Sequence, residues 1–175
     1  MARAVGGEGS LSNDGLSEDR AALALEDLAA GQVYRSASAV IDGAAITAFA
    51  AAWDPQPFHL DSAAASASIF GGLAASGWHT ACHSMRLFVD GPLRIAGGLV
   101  GAGVEQLRWP VPTRPGDILH VETEVLSVRP SASKPDRGLV RIRNVTLNQR
   151  GEVAQEMIAT LVVPRRDAGG QPAGP

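Results

Sequence analysis

The spacing of apolar side chains changes along the chain, and each change predicts a different element. Gln32 to Ile41 reads as a first strand. Asp42 behind it is a good helix cap, since a short carboxylate accepts from the unpaired amides of a first turn. Beyond it Ile46, Phe49, Ala50 and Trp53 recur at helical spacing and make one apolar face. Asp54-Pro55-Gln56-Pro57 ends that helix, because each proline removes a donor and disfavours helix in the residue before it. The small residues from Ser62 to Ser68 predict another short helix. A longer one follows the loop Phe70-Gly71-Gly72, with Ser76 as its cap and Gly77 at its start. There Trp78, Ala81, Cys82, Met85, Phe88 and Val89 fall three and four apart, which predicts a long buried stripe. Asp90-Gly91-Pro92 stops it.

From Leu99 onward the pattern is that of strands. Leu99 to Trp109, Ile118 to Val128, Gly138 to Asn148 and Glu152 to Val163 are rich in β-branched residues. Arg114-Pro115-Gly116-Asp117, Pro130 to Arg137 and Gln149-Arg150-Gly151 supply the turns between them. A strand, then helices, then a run of antiparallel strands is an α+β pattern, with one long apolar helix wrapped by the sheet. The ends carry little to bury. Residues 1–22 and the Gly/Pro-rich 167–175 read as flexible tails around one folded domain at 23–166.

Composition and charge narrow the function classes. A chain of 175 residues, 45% hydrophobic and 19% charged, is long enough for one domain with a real core. Its net charge of -3 argues against a nucleic-acid binder and against a polybasic membrane patch, since both need a basic stripe that is absent. The single cysteine, Cys82, excludes an intramolecular disulfide and fits a reducing compartment; inside the apolar stripe it reads as a core residue. No stretch reaches the roughly 18 uninterrupted apolar residues of a membrane span. Met1 to Asp19 lacks the apolar centre of a signal peptide. The expected compartment is the cytoplasm.

The segment with chemical content is Trp53-Asp54-Pro55-Gln56-Pro57-Phe58-His59-Leu60-Asp61. A carboxylate and an imidazole stand five residues apart across two prolines, and on a regular helix they would not share a face. A proline-stiffened turn can aim both at one point with little entropy to lose. Histidine, with an ordinary pKa of about 6.5, gives or takes a proton near neutral pH, and a neighbouring aspartate can orient it or share the work on one water. Taken alone, the spacing favours an Asp that caps a turn and a His packed on a loop.

This segment resembles the hydratase signature of the MaoC-like, R-specific enoyl-CoA hydratase family, Asp-x-Asn-Pro-x-His-x-Asp. Asp54, Pro57, His59 and Asp61 match at the right spacing, and Ala64 fits the small position that follows. Phe70-Gly71-Gly72-Leu73-Ala74-Ala75-Ser76-Gly77 is similar to the family's Phe-Gly-x-x-Ile-Ala-His-Gly run into the central helix. Val104 to Trp109 followed by Arg114-Pro115-Gly116-Asp117 is similar to its strand and Pro-Gly-Asp turn. The resemblance spans roughly Ala29 to Pro164. Gln56 stands in place of the usual Asn, Trp53 in place of a Gly and Ser76 in place of the usual His. Gln56 keeps an amide for the turn's hydrogen bonds, whereas Ser76 alters the edge of the acyl pocket.

The resemblance implies a single hot-dog domain, an antiparallel sheet wrapped around a long central helix. It implies a lyase of fatty-acid metabolism that adds water to a 2-enoyl-CoA or removes it from a 3-hydroxyacyl-CoA. Asp54 and His59 would activate the water and the Gly77 N–H would polarise the thioester carbonyl. Phe58, Ser76, Trp78 and His79 would line the acyl pocket. Coenzyme A enters only as part of the substrate, with no other cofactor and no metal. The expected assembly is a homodimer or a dimer of dimers with each site near the subunit interface. Two rivals use the same fold: an acyl-CoA thioesterase, disfavoured by the Asp-x-x-Pro-x-His spacing, and a non-catalytic acyl-CoA-binding subunit, disfavoured by retention of Asp54 and His59.

Other signals weigh less. His79 and His83 have the four-residue spacing of a helical zinc pair, but position 80 holds no Glu and no third ligand is evident. A Ser84 hydroxyl on a helix is expected to bond back to its own backbone. Gly71-Gly72 and Gly97-Gly98 lack the Lys-Ser/Thr that a phosphate loop requires. Lys134 and Arg137 read as a solvated hairpin rather than a coenzyme A phosphate site, and Trp78 and Trp109 as core or interface residues rather than stacking platforms.

Overall fold

A computed structural model describes residues 22–166 of the chain. The tails expected at the two ends lie outside these residues, but for Ala22. The chain begins with a single 3-10 turn, Leu25–Asp27, and two short strands, β1 (Val33–Arg35) and β2 (Ala39–Val40). Four helices follow: α1 (Gly43–Trp53), α2 (Pro57–Leu60), α3 (Ser62–Ser66) and α4 (Gly77–Val89). Four long strands complete it: β3 (Val100–Arg108), β4 (Ile118–Pro130), β5 (Arg137–Leu147) and β6 (Val153–Pro164). The strands form one sheet in the order β1-β4-β5-β6-β3, with β2 also on β4, and every pair is antiparallel. This is the hot-dog arrangement, α4 being the helix that the sheet packs against.

The strand-period half of the chain forms the strands its alternation predicts. On β5, Gly138, Val140, Ile142, Asn144 and Thr146 are buried at every second position, which is the two-residue repeat of a sheet with one face inward. The opposite face carries charge. Glu156 on β6 binds Arg143 on β5 at 2.7 Å and Arg108 on β3 at 2.8 Å. The predicted first strand is interrupted: β1 and β2 both pair with β4, but the chain bends at Ser36–Ser38 between them. Ser36 covers the gap, its hydroxyl accepting from the Val121 N–H at 2.9 Å.

Two helical faces differ from expectation. On α1 only Ile46 and Ala50 are buried, while Trp53 is 77% exposed at the end where the chain turns into the prolines. The predicted stripe of α4 is largely its outer side. Trp78, Met85 and Val89 are exposed, Cys82 is exposed rather than a core residue, and of the stripe only Phe88 is buried. The face turned to the sheet is instead Thr80, Ser84, Leu87 and Phe88. The reason lies across the interface, where the sheet and the loop between β3 and β4 offer polar partners. The Thr146 hydroxyl of β5 donates to Ser84 at 2.8 Å, and the Thr80 and Thr113 hydroxyls pair at 3.1 Å. Ser84 also bonds back to the Thr80 carbonyl, as a helical hydroxyl is expected to.

This polar band separates two apolar clusters. One gathers Leu25, Phe88, Leu93, Ile142 and Leu161 around the end of α4; the other gathers Ile41, Ile46, Leu87, Leu119 and Val121. Among the described residues no helix is long and apolar enough to cross a membrane.

Candidate active site

Two local rules bring Asp54 and His59 together. Asp54 is the C-cap of α1, its N–H bonded to the Ala50 carbonyl at 2.9 Å, and Pro55 prevents further helix. Pro57 then opens α2, a position where its missing N–H costs nothing. Backbone bonds hold the turn, Gln56 N–H to Asp54 at 2.7 Å and His59 N–H to Gln56 at 2.9 Å. The Gln56 side chain makes no cap bond, so the amide expected to support the turn is not what holds it. His59 Nε2 then lies 3.5 Å from Asp54 Oδ2, with the imidazole buried. Asp61, the last residue of the signature, caps α3 by accepting from the Ala64 N–H at 2.7 Å.

The tautomer of His59 follows from its other nitrogen. Nδ1 is 2.7 Å from the Ala74 carbonyl oxygen, which can only accept, so Nδ1 carries the proton. In the neutral ring Nε2 therefore presents a lone pair to Asp54. The ring is held from the side by Phe58, edge-on at 4.6 Å, which itself packs on Phe70 at 5.1 Å.

The helix that follows supplies an amide. Ser76 caps α4 through its hydroxyl, which accepts from the Trp78 N–H at 3.2 Å and donates to Asp54 Oδ2 at 2.7 Å. Gly77, the first residue of the helix, lies under the Trp109 ring, and a Cβ there would come within 2.8 Å of ring atoms. The Trp109 indole N–H is anchored on Gln155 at 3.0 Å. His59, Gly77, Thr80, Trp109, Thr113 and Arg114 line a common cavity of about 410 Å³.

The structure thus gathers Asp54, His59, Ser76 and Gly77 into one place. Phe58 stands behind His59 and does not line the cavity. Trp78 is exposed, edge-on to Trp109 at 5.6 Å. His79 does not face the cavity either: it stacks on Phe49 of α1 at 4.9 Å. Burial lowers the pKa of both His79 and His83, and for His79 the neighbouring His83 lowers it further. Among the described residues no group of three or more His, Cys, Asp or Glu could hold a metal ion.

Arg114 is the site residue that pattern alone does not disclose, since in the sequence it opens a turn. Its guanidinium donates to the carbonyls of Phe70, of Gly72 at 2.6 Å and of Leu73 at 3.2 Å. Buried Asp117 of the Pro-Gly-Asp turn fixes Arg114 in return, accepting from its backbone N–H at 2.7 Å.

The fold is that of the MaoC-like dehydratases and R-hydratases, and the comparisons with known proteins support a hydratase or dehydratase role. The MaoC-like domain model matches residues 27–146, and the chain belongs to that family. The solved MaoC-like dehydratase from Rhodospirillum rubrum is 59% identical, with a TM-score of 0.80 over 83% of this chain and 99% of that one. The unliganded R-hydratase PhaJ1 from Pseudomonas aeruginosa is 27% identical, with a TM-score of 0.65 over 82% of this chain and 86% of that one. The (R)-hydratase from A. caviae involved in PHA biosynthesis is 26% identical, with a TM-score of 0.64 over 79% of this chain and 99% of that one. Among curated proteins, the uncharacterized protein YdeM of Bacillus subtilis (strain 168) is 29% identical over 126 residues, 72% of this chain and 88% of its own length.

Proposed function

We propose that the protein catalyses reversible addition of water to a 2-enoyl-CoA thioester, giving a 3-hydroxyacyl-CoA. The observation that carries this is a pair of acceptors, the His59 Nε2 lone pair and Asp54 Oδ2, 3.5 Å apart, with His59 on the cavity wall. Two acceptors do not bond each other, but one water has two O–H groups and can donate to both. Held in this way, its oxygen lone pairs point away from the carboxylate and the ring. Its oxygen adds to the β-carbon as a proton leaves to the His59–Asp54 pair, and a proton from the pair goes to the α-carbon. The electrons of the double bond pass through the α-carbon to the thioester oxygen and return when the α-carbon is protonated. The Gly77 N–H, in the first turn of α4 where amides lack an intrahelical acceptor, stabilises the negative charge on that oxygen. Dehydration is the same path reversed, and it calls for no metal or redox group.

The homodimer belongs to this proposal. The exposed apolar side of α4 and the outer edge of β3, where Val100 and Val104 are exposed, form a surface that a second copy would cover. The test is hydration of short, medium and branched enoyl-CoAs, followed by loss of the enoyl absorbance, with free thiol assayed in parallel. The wild type is expected to hydrate at least one of them without thiol release. Asp54→Asn and His59→Asn are each expected to lower turnover about 100-fold or more, the low end of a general acid–base contribution. Near wild-type rates in both variants would remove the assignment.

A further inference from the structure

We propose that Ser76 is a positioning residue whose hydroxyl ties the Asp54 carboxylate to the first turn of α4. This rests on the hydratase reading above and departs from the pocket-lining role that the sequence resemblance gives Ser76. A serine hydroxyl has one proton and two lone pairs. The Trp78 N–H occupies a lone pair at 3.2 Å, and the proton goes to Asp54 Oδ2 at 2.7 Å, a charge-assisted bond of the short, strong kind. Ser76 is fully buried and is not among the residues that line the cavity. Its only proton is therefore committed to Asp54, and burial keeps the remaining lone pair away from the cavity.

The consequence is geometric. Asp54 ends α1 and Gly77 starts α4, and the hydroxyl between them is a direct polar tie from the carboxylate to that helix start. The oxygen it holds, Oδ2, is also the one nearest His59 Nε2. One bond thus fixes the carboxylate rotamer, its orientation toward His59 and its distance from the amide that receives the carbonyl. Such alignment acts on the reacting complex rather than on affinity.

The test separates this role from capping and from substrate contact. Alanine at an N-cap costs helix stability and glycine costs much less, yet both remove the donor. Ser76→Ala and Ser76→Gly are expected to lose kcat equally, by about 10–100-fold, the range known for hydrogen-bond partners that orient metal ligands. KM is expected to stay within about twofold, while the thermal midpoint falls more for Ser76→Ala than for Ser76→Gly. A KM increase at unchanged kcat would restore the pocket-lining role, and a kcat loss that follows the thermal midpoint would reduce Ser76 to a cap. A thermal double-mutant cycle of Ser76→Ala with Asp54→Ala reads the bond without any turnover. The losses are expected to be non-additive, and additive losses overturn the proposal. A wild type inert toward every enoyl-CoA removes the hydratase reading, and the cycle still decides the Ser76–Asp54 bond.

Discussion

Arg114 supplies, for the loop behind His59, the donors that a neighbouring strand would otherwise provide. The stretch Phe70–Leu73 is irregular, and three of its carbonyls turn to one guanidinium. The next residue, Ala74, offers the carbonyl that holds the proton on His59 Nδ1. Arg114 thus stands two links from the chemistry, through a backbone it keeps in place. A lysine cannot reproduce this, because its donors radiate from one point whereas the guanidinium fork is planar and broad. Arg114→Met is expected to destabilise the protein by about 1–3 kcal/mol, as three part-buried carbonyls lose their bonds to a charged donor, with Arg114→Lys recovering only part of it. Urea unfolding with an unchanged slope measures the difference. Equal stability of both variants and the wild type would show that the carbonyls find other donors.

At the scale of elements, α4 shows what periodicity does and does not convey. Its sequence holds two stripes, an apolar one through Trp78, Cys82 and Met85 and a hydroxyl one through Ser76, Thr80 and Ser84. Both have helical spacing, so the helix and its cap were legible. The side facing the sheet was not, because it depends on partners such as Thr113 and Thr146 that are distant in sequence. The long strands were legible from their alternation. The 3-10 turn at Leu25 was not, since three residues have no period, and its seat depends on Gly138, where a Cβ would come within 2.7 Å of Leu25 Cδ1. The approach of Asp54 to His59 was legible because the signature is local; the Ser76–Asp54 bond spans 22 residues and was not. The same helix also carries a pH dependence. His79 Nδ1 and His83 Nε2 are buried without a partner, and burial holds both pKa values below the ordinary 6.5. As pH falls through 6.5 the unfolded chain takes up protons that the folded helix refuses, so the stability from these groups is present above 6.5 and lost below it. The thermal midpoint is expected to drop between about pH 7 and pH 5, and His79→Gln with His83→Gln to flatten that drop. An unchanged slope in the double variant would assign it to other groups.

The molecule as a whole has two faces of opposite character. On the outer face of the sheet, charges satisfy one another: Arg141 binds Glu105 at 2.7 Å, and Glu156 joins Arg143 to Arg108. Exposed pairs of this kind add little stability, but they keep the face soluble and give an apolar partner nothing to bury. The other side is different. Trp78, Met85 and Val89 of α4 and Val100 and Val104 of β3 are all exposed. An apolar groove of about 210 Å³ runs between Met85, Phe88, Val104 and Met157. β3 is also the last strand of the sheet, so among the described residues one of its edges has no neighbour. An unpaired edge beside an exposed apolar helix invites association, and a two-fold copy of the same surface satisfies both with matched residues. Under the proposed homodimer, a charge at the centre of this surface has no partner in the complex and is fully hydrated in the monomer. Met85→Glu and Val104→Glu are therefore expected to shift sedimentation toward the monomer while far-UV circular dichroism stays that of the folded chain. A wild type that sediments as a monomer at micromolar concentration, or variants that sediment as the wild-type dimer, would place the contact elsewhere.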